Sequence, residues 1–156
     1  DGKTGSVYRA DLDGEVNRLA SGLANPTGMV WSQDATTLYV SETGAQRVIS
    51  LELDEAGQNM VNQQTVVTFD SGEPGALTFD SQGNLYVALR GVGLVLIDDA
   101  GDTQETMEVG SGEPAALVFG GLNYDELYVS DVGSGSVFCS QRESSGQRPF
   151  AGPRSV

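Results

Sequence analysis

The chain has 156 residues, carries 22 Asp and Glu against 8 Lys and Arg for a formal charge of −14, and contains no His. That length suits one domain; the acidic excess opposes nucleic acid, whose phosphates are bound by Lys and Arg; and the missing imidazole excludes Ser-His-Asp triads, Cys-His dyads and His-bearing zinc sites. The single Cys139 cannot form an internal disulfide, and no apolar run approaches the roughly 18 residues of a membrane span.

In chain order, residues 5–12 and 14–21 read as two strands joined at Asp13-Gly14, because Asp-Gly suits the positive φ angles of a tight hairpin. Asp11-Leu12-Asp13-Gly14-Glu15 is similar to a calcium loop but lacks the third acidic position and the closing Glu of an EF-hand. Pro26-Thr27-Gly28-Met29-Val30-Trp31 then opens an apolar strand, with a turn at Ser32-Gln33-Asp34. Leu38-Tyr39-Val40 forms a second strand, a third contains Val48, and a more polar fourth follows the turn at Ala56-Gly57. The order recurs from Pro74-Gly75-Ala76-Leu77-Thr78-Phe79 through Leu85-Tyr86-Val87 and Val95. It recurs again from Pro114-Ala115-Ala116-Leu117-Val118-Phe119 through Leu127-Tyr128-Val129 and Val137. No stripe of period 3.6 reaches helical length.

The prolines lie 48 and 40 residues apart, and each Tyr precedes its Val by nine residues. Three markers that hold one register through three copies define a repeat. Four antiparallel strands per unit of about 40–50 residues make a β-propeller blade. The expected fold is therefore all-β: a single propeller domain over 1–156, with blades at 1–25 (partial), 26–70, 74–110 and 114–152 (partial). Trp31, Phe79 and Phe119 occupy equivalent positions and are expected in the core between blades. Cys139 reads as a small core residue, and Gly91-Val92-Gly93 as a turn.

Three segments resemble one known family. They are Asn25-Pro26-Thr27-Gly28-Met29-Val30-Trp31-Ser32 with Leu38-Tyr39-Val40-Ser41-Glu42-Thr43; Phe79-Asp80-Ser81-Gln82-Gly83-Asn84-Leu85-Tyr86-Val87-Ala88; and Phe119-Gly120-Gly121-Leu122-Asn123-Tyr124-Asp125-Glu126-Leu127-Tyr128-Val129-Ser130. They resemble the C-terminal half of the senescence-marker-protein/gluconolactonase/luciferin-regenerating-enzyme group, and Arg148-Pro149-Phe150-Ala151-Gly152 resembles its last strand. The resemblance implies about three blades of a six-bladed ring, with the N-terminal blades outside this chain. It also implies a lactone hydrolase holding a divalent cation, often calcium, on a Glu, two Asn and an Asp in the central tunnel. At the family's Pro-Asn-Gly and Pro-Asp-Gly turns this chain reads Pro26-Thr27-Gly28 and Pro74-Gly75-Ala76. Thr27 is a neutral ligand at best and Gly75 offers no side chain. Together with Ala115 they are expected to line the pocket.

An acidic constellation also recurs by position. Asn25, Glu73 and Glu113 each precede a repeat proline, the last two in identical Ser-Gly-Glu-Pro tetrapeptides. Equivalent positions of successive blades lie at one depth around the axis. These three side chains therefore converge on a cation, or are loop residues on the ring's face, or Glu73 and Glu113 cap backbone N–H groups. Glu42 either lines a pocket or pairs with Arg47 between blades.

Two functions remain open from sequence. One is a metal-dependent lactone or ester hydrolase completed by other blades. The other is a non-catalytic binding or assembly module. The expected partners are a second copy of this chain, or a chain supplying the N-terminal half, and a small lactone or ester, but neither nucleic acid nor a membrane. A chain that opens on Asp1 reads as a processed product or a piece of a longer protein. The absence of disulfides fits the cytoplasm and equally a secreted or periplasmic location.

Overall fold

Short runs rich in β-branched and aromatic residues, broken every few residues by Gly, Asp and Ser, favour strands over helices. The structure, a computed structural model, describes residues 4–148. Among the described residues there are thirteen strands and one 3₁₀ turn, Thr43–Ala45. The strands form four antiparallel sheets. β1 (Gly5–Ala10) pairs with β2 (Val16–Leu23). β3 (Pro26–Trp31), β4 (Thr37–Glu42), β5 (Arg47–Leu53) and β6 (Met60–Thr68) form a complete four-stranded sheet. β7 (Glu73–Phe79), β8 (Leu85–Arg90), β9 (Gly93–Ile97) and β10 (Thr103–Met107) form a second. β11 (Pro114–Gly120), β12 (Glu126–Asp131) and β13 (Ser136–Gln141) form the last. Each sheet runs up and down in sequence order, as in a propeller blade. The family's last-strand segment from Pro149 onward lies outside the described residues.

The core lies between sheets. One cluster joins Val7, Leu19 and Leu23 to Val40, Ile49 and Leu51. A second joins Val48 to Leu77, Phe79, Val87 and Ile97. A third joins Tyr86 and Leu94 to Leu117, Phe119 and Leu127. The inner strands meet at the axis, with β7 touching both β3 and β11.

The repeated tyrosine has a repeated job. Tyr39 meets Phe79 of the following sheet edge to face, with ring centroids 4.9 Å apart at 81°. Tyr86 meets Phe119 in the same way, at 5.3 Å and 87°. Such pairs add about 0.5–1.5 kcal/mol beyond area burial.

Two expectations are corrected here. Trp31 stands where Phe79 and Phe119 stand but is 40% exposed. Its place calls for a Tyr from the second strand of a preceding sheet, and the sheet of β1 and β2 contains no such strand. Cys139 is exposed, because β13 is the outer strand of its sheet and no described sheet packs behind it. The contrast between the similar segments Gly5-Ser6-Val7-Tyr8 and Gly135-Ser136-Val137-Phe138 is direct: Val7 is buried and Val137 is exposed. No helix among the described residues is long and apolar enough to cross a membrane.

Candidate functional site at the inner-strand mouth

The residues singled out by sequence gather where the three inner strands begin. Thr27, Gly75 and Ala115 are each the residue after the repeat proline, in β3, β7 and β11. Thr27 and Ala115 are exposed and Gly75 is half-buried. Hydroxyls knit this rim together. Thr27 Oγ1 lies 2.6 Å from Thr43 Oγ1. Thr43 Oγ1 donates to the Pro74 carbonyl at 2.6 Å, and Ser41 Oγ donates to the Gly75 carbonyl at 2.5 Å. A hydroxyl has one proton, so Thr43 spends its own on Pro74 and Thr27 donates to Thr43. These bonds tie the start of β7 to the end of β4, one blade to the next.

Glu73 and Glu113 do converge, and the group they share is Arg90. Glu73 stands directly opposite Arg90 in the β7–β8 register. Its Oε2 accepts from the guanidinium Nη2, and from Nε at 3.0 Å. Arg90 Nε lies 3.6 Å from Glu113 Oε2 of the following sheet. Asn25 has a different role. It takes a left-handed conformation at φ 52°, and its carbonyl accepts from Thr43 N at 3.1 Å. Among the described residues no group of three or more His, Cys, Asp or Glu is placed to hold a metal ion. A cavity of about 430 Å³ at this rim is lined by Gln46, Gly72, Glu73, Arg90, Gly91 and Glu113.

The resemblance implies a divalent cation here, and the donor set of this chain does not fit one. Such ions take six to eight oxygen ligands, carboxylates prominent among them. Thr27 is neutral and already hydrogen-bonded, Gly75 brings only backbone, and the two carboxylates nearby are neutralised in part by Arg90.

The ends of the second strands carry two acids that sequence reasoning did not pair. Glu42 ends β4 and Asp131 ends β12, each two residues beyond the Val of Leu-Tyr-Val. Glu42 pairs with Arg47, within one sheet rather than between blades as expected, since the two are cross-strand partners in β4 and β5. Asp131 accepts from Ser111 Oγ at 2.7 Å, Ser134 N at 2.8 Å and Glu113 N at 2.9 Å. It thereby shapes the loop that presents Glu113.

Burial pushes the Asp131 carboxyl up, but the hydrogen bonds from Ser134, Ser111 and Glu113 outweigh it and hold the group well below the usual carboxylate range. A depressed folded-state value means the contribution is complete above the unfolded value of about 4 and is lost as pH falls below it. The urea midpoint of wild type minus that of Asp131→Asn is therefore expected to be positive at pH 7 and to shrink from about pH 4 downward. A difference that stays constant to pH 3 contradicts this role.

A second, larger cavity of about 680 Å³ opens at the far ends of the inner strands. It is lined by Trp31, Phe79, Val118, Phe119, Tyr124 and Arg148, among others. Its walls are apolar and suit an apolar ligand. The other mouth is lined by the charged and amide side chains of Glu73, Arg90, Glu113 and Gln46 and is the better place for polar chemistry.

Comparison with known proteins places the chain. Residues 1–133 match the family described as SMP-30/Gluconolactonase/LRE-like region. The chain belongs to this family. It is similar to the pentonolactonase XacC of Haloferax volcanii, 31% identical over 132 residues, which cover 83% of this chain and 45% of that protein. Its fold matches a luciferin-regenerating enzyme with TM-score 0.82 and 26% identity, over 94% of this chain and 55% of that one. It also matches regucalcin from Agrobacterium tumefaciens, described as a calcium-binding protein, with TM-score 0.81 and 21% identity over 96% and 56% of the two chains. The chain spans about half the length of the curated relatives it matches.

Proposed function

We propose that this chain forms part of a lactone hydrolase and that its inner-strand mouth faces a polar cyclic ester. The observation that supports the reading most is the 31% identity to a pentonolactonase across 83% of the chain. The mouth chemistry agrees. Hydrolysis adds water across an acyl C–O bond and yields a hydroxy acid. The Thr27 and Thr43 hydroxyls, the Gln46 amide and the Glu73–Arg90–Glu113 cluster offer donors and acceptors to a hydroxylated substrate. No step is routed through a divalent cation, because the residues at the two ligand turns are Thr27 and Gly75.

The reading requires a completed ring, with the remaining blades supplied by further residues of a longer chain, by a second copy or by a chain carrying the N-terminal half. Trp31 and Cys139 report on that event, being the single Trp and the single Cys of the chain, both exposed here. Completion is expected to give a species larger than 16.3 kDa by light scattering. It is also expected to shift Trp31 emission to the blue and to protect Cys139 from a thiol reagent. The completed ring is expected to hydrolyse a sugar lactone faster than buffer in a pH-stat assay, run with and without EDTA. A monomer that turns over lactone unaided contradicts the need for completion.

A second reading, a non-catalytic binding or assembly propeller, is favoured by the uncharged turns at Thr27 and Gly75. A completed ring inert toward lactones and aryl esters in both arms selects it.

A further inference from the structure

We propose that the Arg90 guanidinium is the resident cation of this mouth, bridging Glu73 of one blade and Glu113 of the next, so that this part of the propeller holds no divalent ion there. The placement is built into the repeat. Glu73 and Glu113 occupy the same position of identical Ser-Gly-Glu-Pro segments and so lie at one depth in neighbouring blades. Arg90 is the last residue of β8, beside both. The backbone fixes the arrangement independently of the charges: Gly91 N donates to the Gly112 carbonyl at 2.7 Å, binding the turn after Arg90 to the segment before Glu113. On the other flank, Gln46 Nε2 donates to the Gly72 carbonyl at 3.1 Å, binding the preceding blade to the segment before Glu73. Both acidic segments are thus held against their neighbours by hydrogen bonds to main-chain carbonyls, one from a backbone N–H and one from the Gln46 amide.

Electrostatics then decides what the carboxylates accept. Two carboxylates and one guanidinium leave a local charge of −1, and the nearby positions Thr27, Gly75 and Ala115 add none. A divalent ion entering between Glu73 and Glu113 meets the guanidinium at close range and must displace it. Arg is not deprotonated in proteins, so it cannot yield by losing its charge. The Arg90 side chain is 52% exposed; ion pairs in such positions contribute little to stability. The role inferred is exclusion of a competing cation, not support of the fold. It does not depend on whether the completed ring hydrolyses lactones.

The test titrates calcium chloride alone into the purified chain, followed by calorimetry and by thermal shift. Wild type is expected to show no saturable uptake. Arg90→Gln frees both carboxylates and is expected to bind calcium weakly, with Kd on the order of 10⁻⁴–10⁻³ M, the range of open extracellular sites. Arg90→Gln/Glu113→Gln is expected to lose that binding, and Arg90→Lys, which keeps the charge, to resemble wild type. Saturable binding by wild type in the range shown by Arg90→Gln overturns the proposal, as does a folded Arg90→Gln protein that takes up none. The wild-type titration is decisive against it even if a variant fails to fold.

Discussion

Gly28→Ala is expected to destabilise the protein by about 3 kcal/mol, the upper part of the range for forcing an extra methyl into a packed site, whereas Gly75→Ala one blade away is expected to be nearly neutral. The two glycines lie near the starts of adjacent inner strands, Gly28 two residues and Gly75 one residue after the repeat proline, and what faces each differs. A Cβ on Gly28 would fall inside contact distance of the Gly75 carbonyl oxygen, 2.8 Å from the carbonyl carbon and 3.1 Å from Ala76 Cα. All three are backbone atoms, so no side-chain rotation relieves the clash and β3 must move away from β7. A Cβ on Gly75 meets only Ala88 O, at 3.5 Å, an ordinary van der Waals contact. Separating β3 from β7 also stretches the Thr43–Pro74 and Ser41–Gly75 hydrogen bonds, so the damage spreads to the mouth. Urea denaturation of the two variants beside wild type measures the contrast. Equal midpoints for all three are incompatible with close approach of the inner strands at the axis.

The same comparison shows why some features are legible in sequence and others are not. Strand order follows from local chemistry: Leu-Tyr-Val segments send alternate side chains to the two faces of their sheet, and the Gly- and Asp-rich turns between them leave little choice of partner. The boundaries were less exact. The first hairpin is Gly5–Ala10 with Val16–Leu23, a shorter pairing that begins later on its second strand than 5–12 with 14–21. The Asp13-Gly14 turn extends over Asp11–Glu15, where Gly14 N donates to the Asp11 carbonyl and Asp11 N to the Glu15 carbonyl. Trp31 and Cys139 were misplaced because burial in a propeller belongs to the neighbouring blade and not to the repeat itself. Phe79 has Tyr39 behind it; Trp31, in the same local sequence, stands on the first complete sheet.

At the site, the repeat puts Glu73 and Glu113 at equivalent positions of successive units, but it says nothing of Arg90. The hairpin register carries only part of the signal: counting outward from the Ser81–Asn84 turn sets Phe79 against Leu85, an unbroken count would bring Pro74 to Arg90, and it is the register shift between Pro74 and Leu77 that brings Glu73 there. The meeting with Glu113 required the angle between blades, which no local pattern carries. The acids closing β4 and β12 were equally visible as Val40-Ser41-Glu42 and Val129-Ser130-Asp131. Their common use, accepting backbone N–H groups from the linker before their own inner strand, appears only once Glu42 is seen to reach Ala24 N and Asp131 to reach Glu113 N.

Glu42 supports the other large expected effect, an asymmetry within one ion pair. Its side chain is only 1% exposed, while Arg47 is 31% exposed. Oε1 accepts from Ala24 N at 2.8 Å and Oε2 from Arg47 Nε at 2.6 Å. Removing the arginine by Arg47→Ala leaves a buried carboxylate with one backbone donor and no counter-charge. The expected cost is about 3–5 kcal/mol, typical of breaking a buried pair from one side. Glu42→Gln removes the charge instead; Gln keeps an oxygen for Ala24 N, and the half-exposed arginine turns to water. About 1–2 kcal/mol is expected there, the cost of one charge-assisted bond. The double variant is then expected to lie close to Glu42→Gln and well short of the sum, because once no charge is buried Arg47 has little left to offset. Urea midpoints for the three variants at pH 7 measure this directly. An Arg47→Ala protein within about 1 kcal/mol of wild type, the range of an exposed pair, means that water reaches Glu42 and that the Ala24–Asn25 linker is held without it.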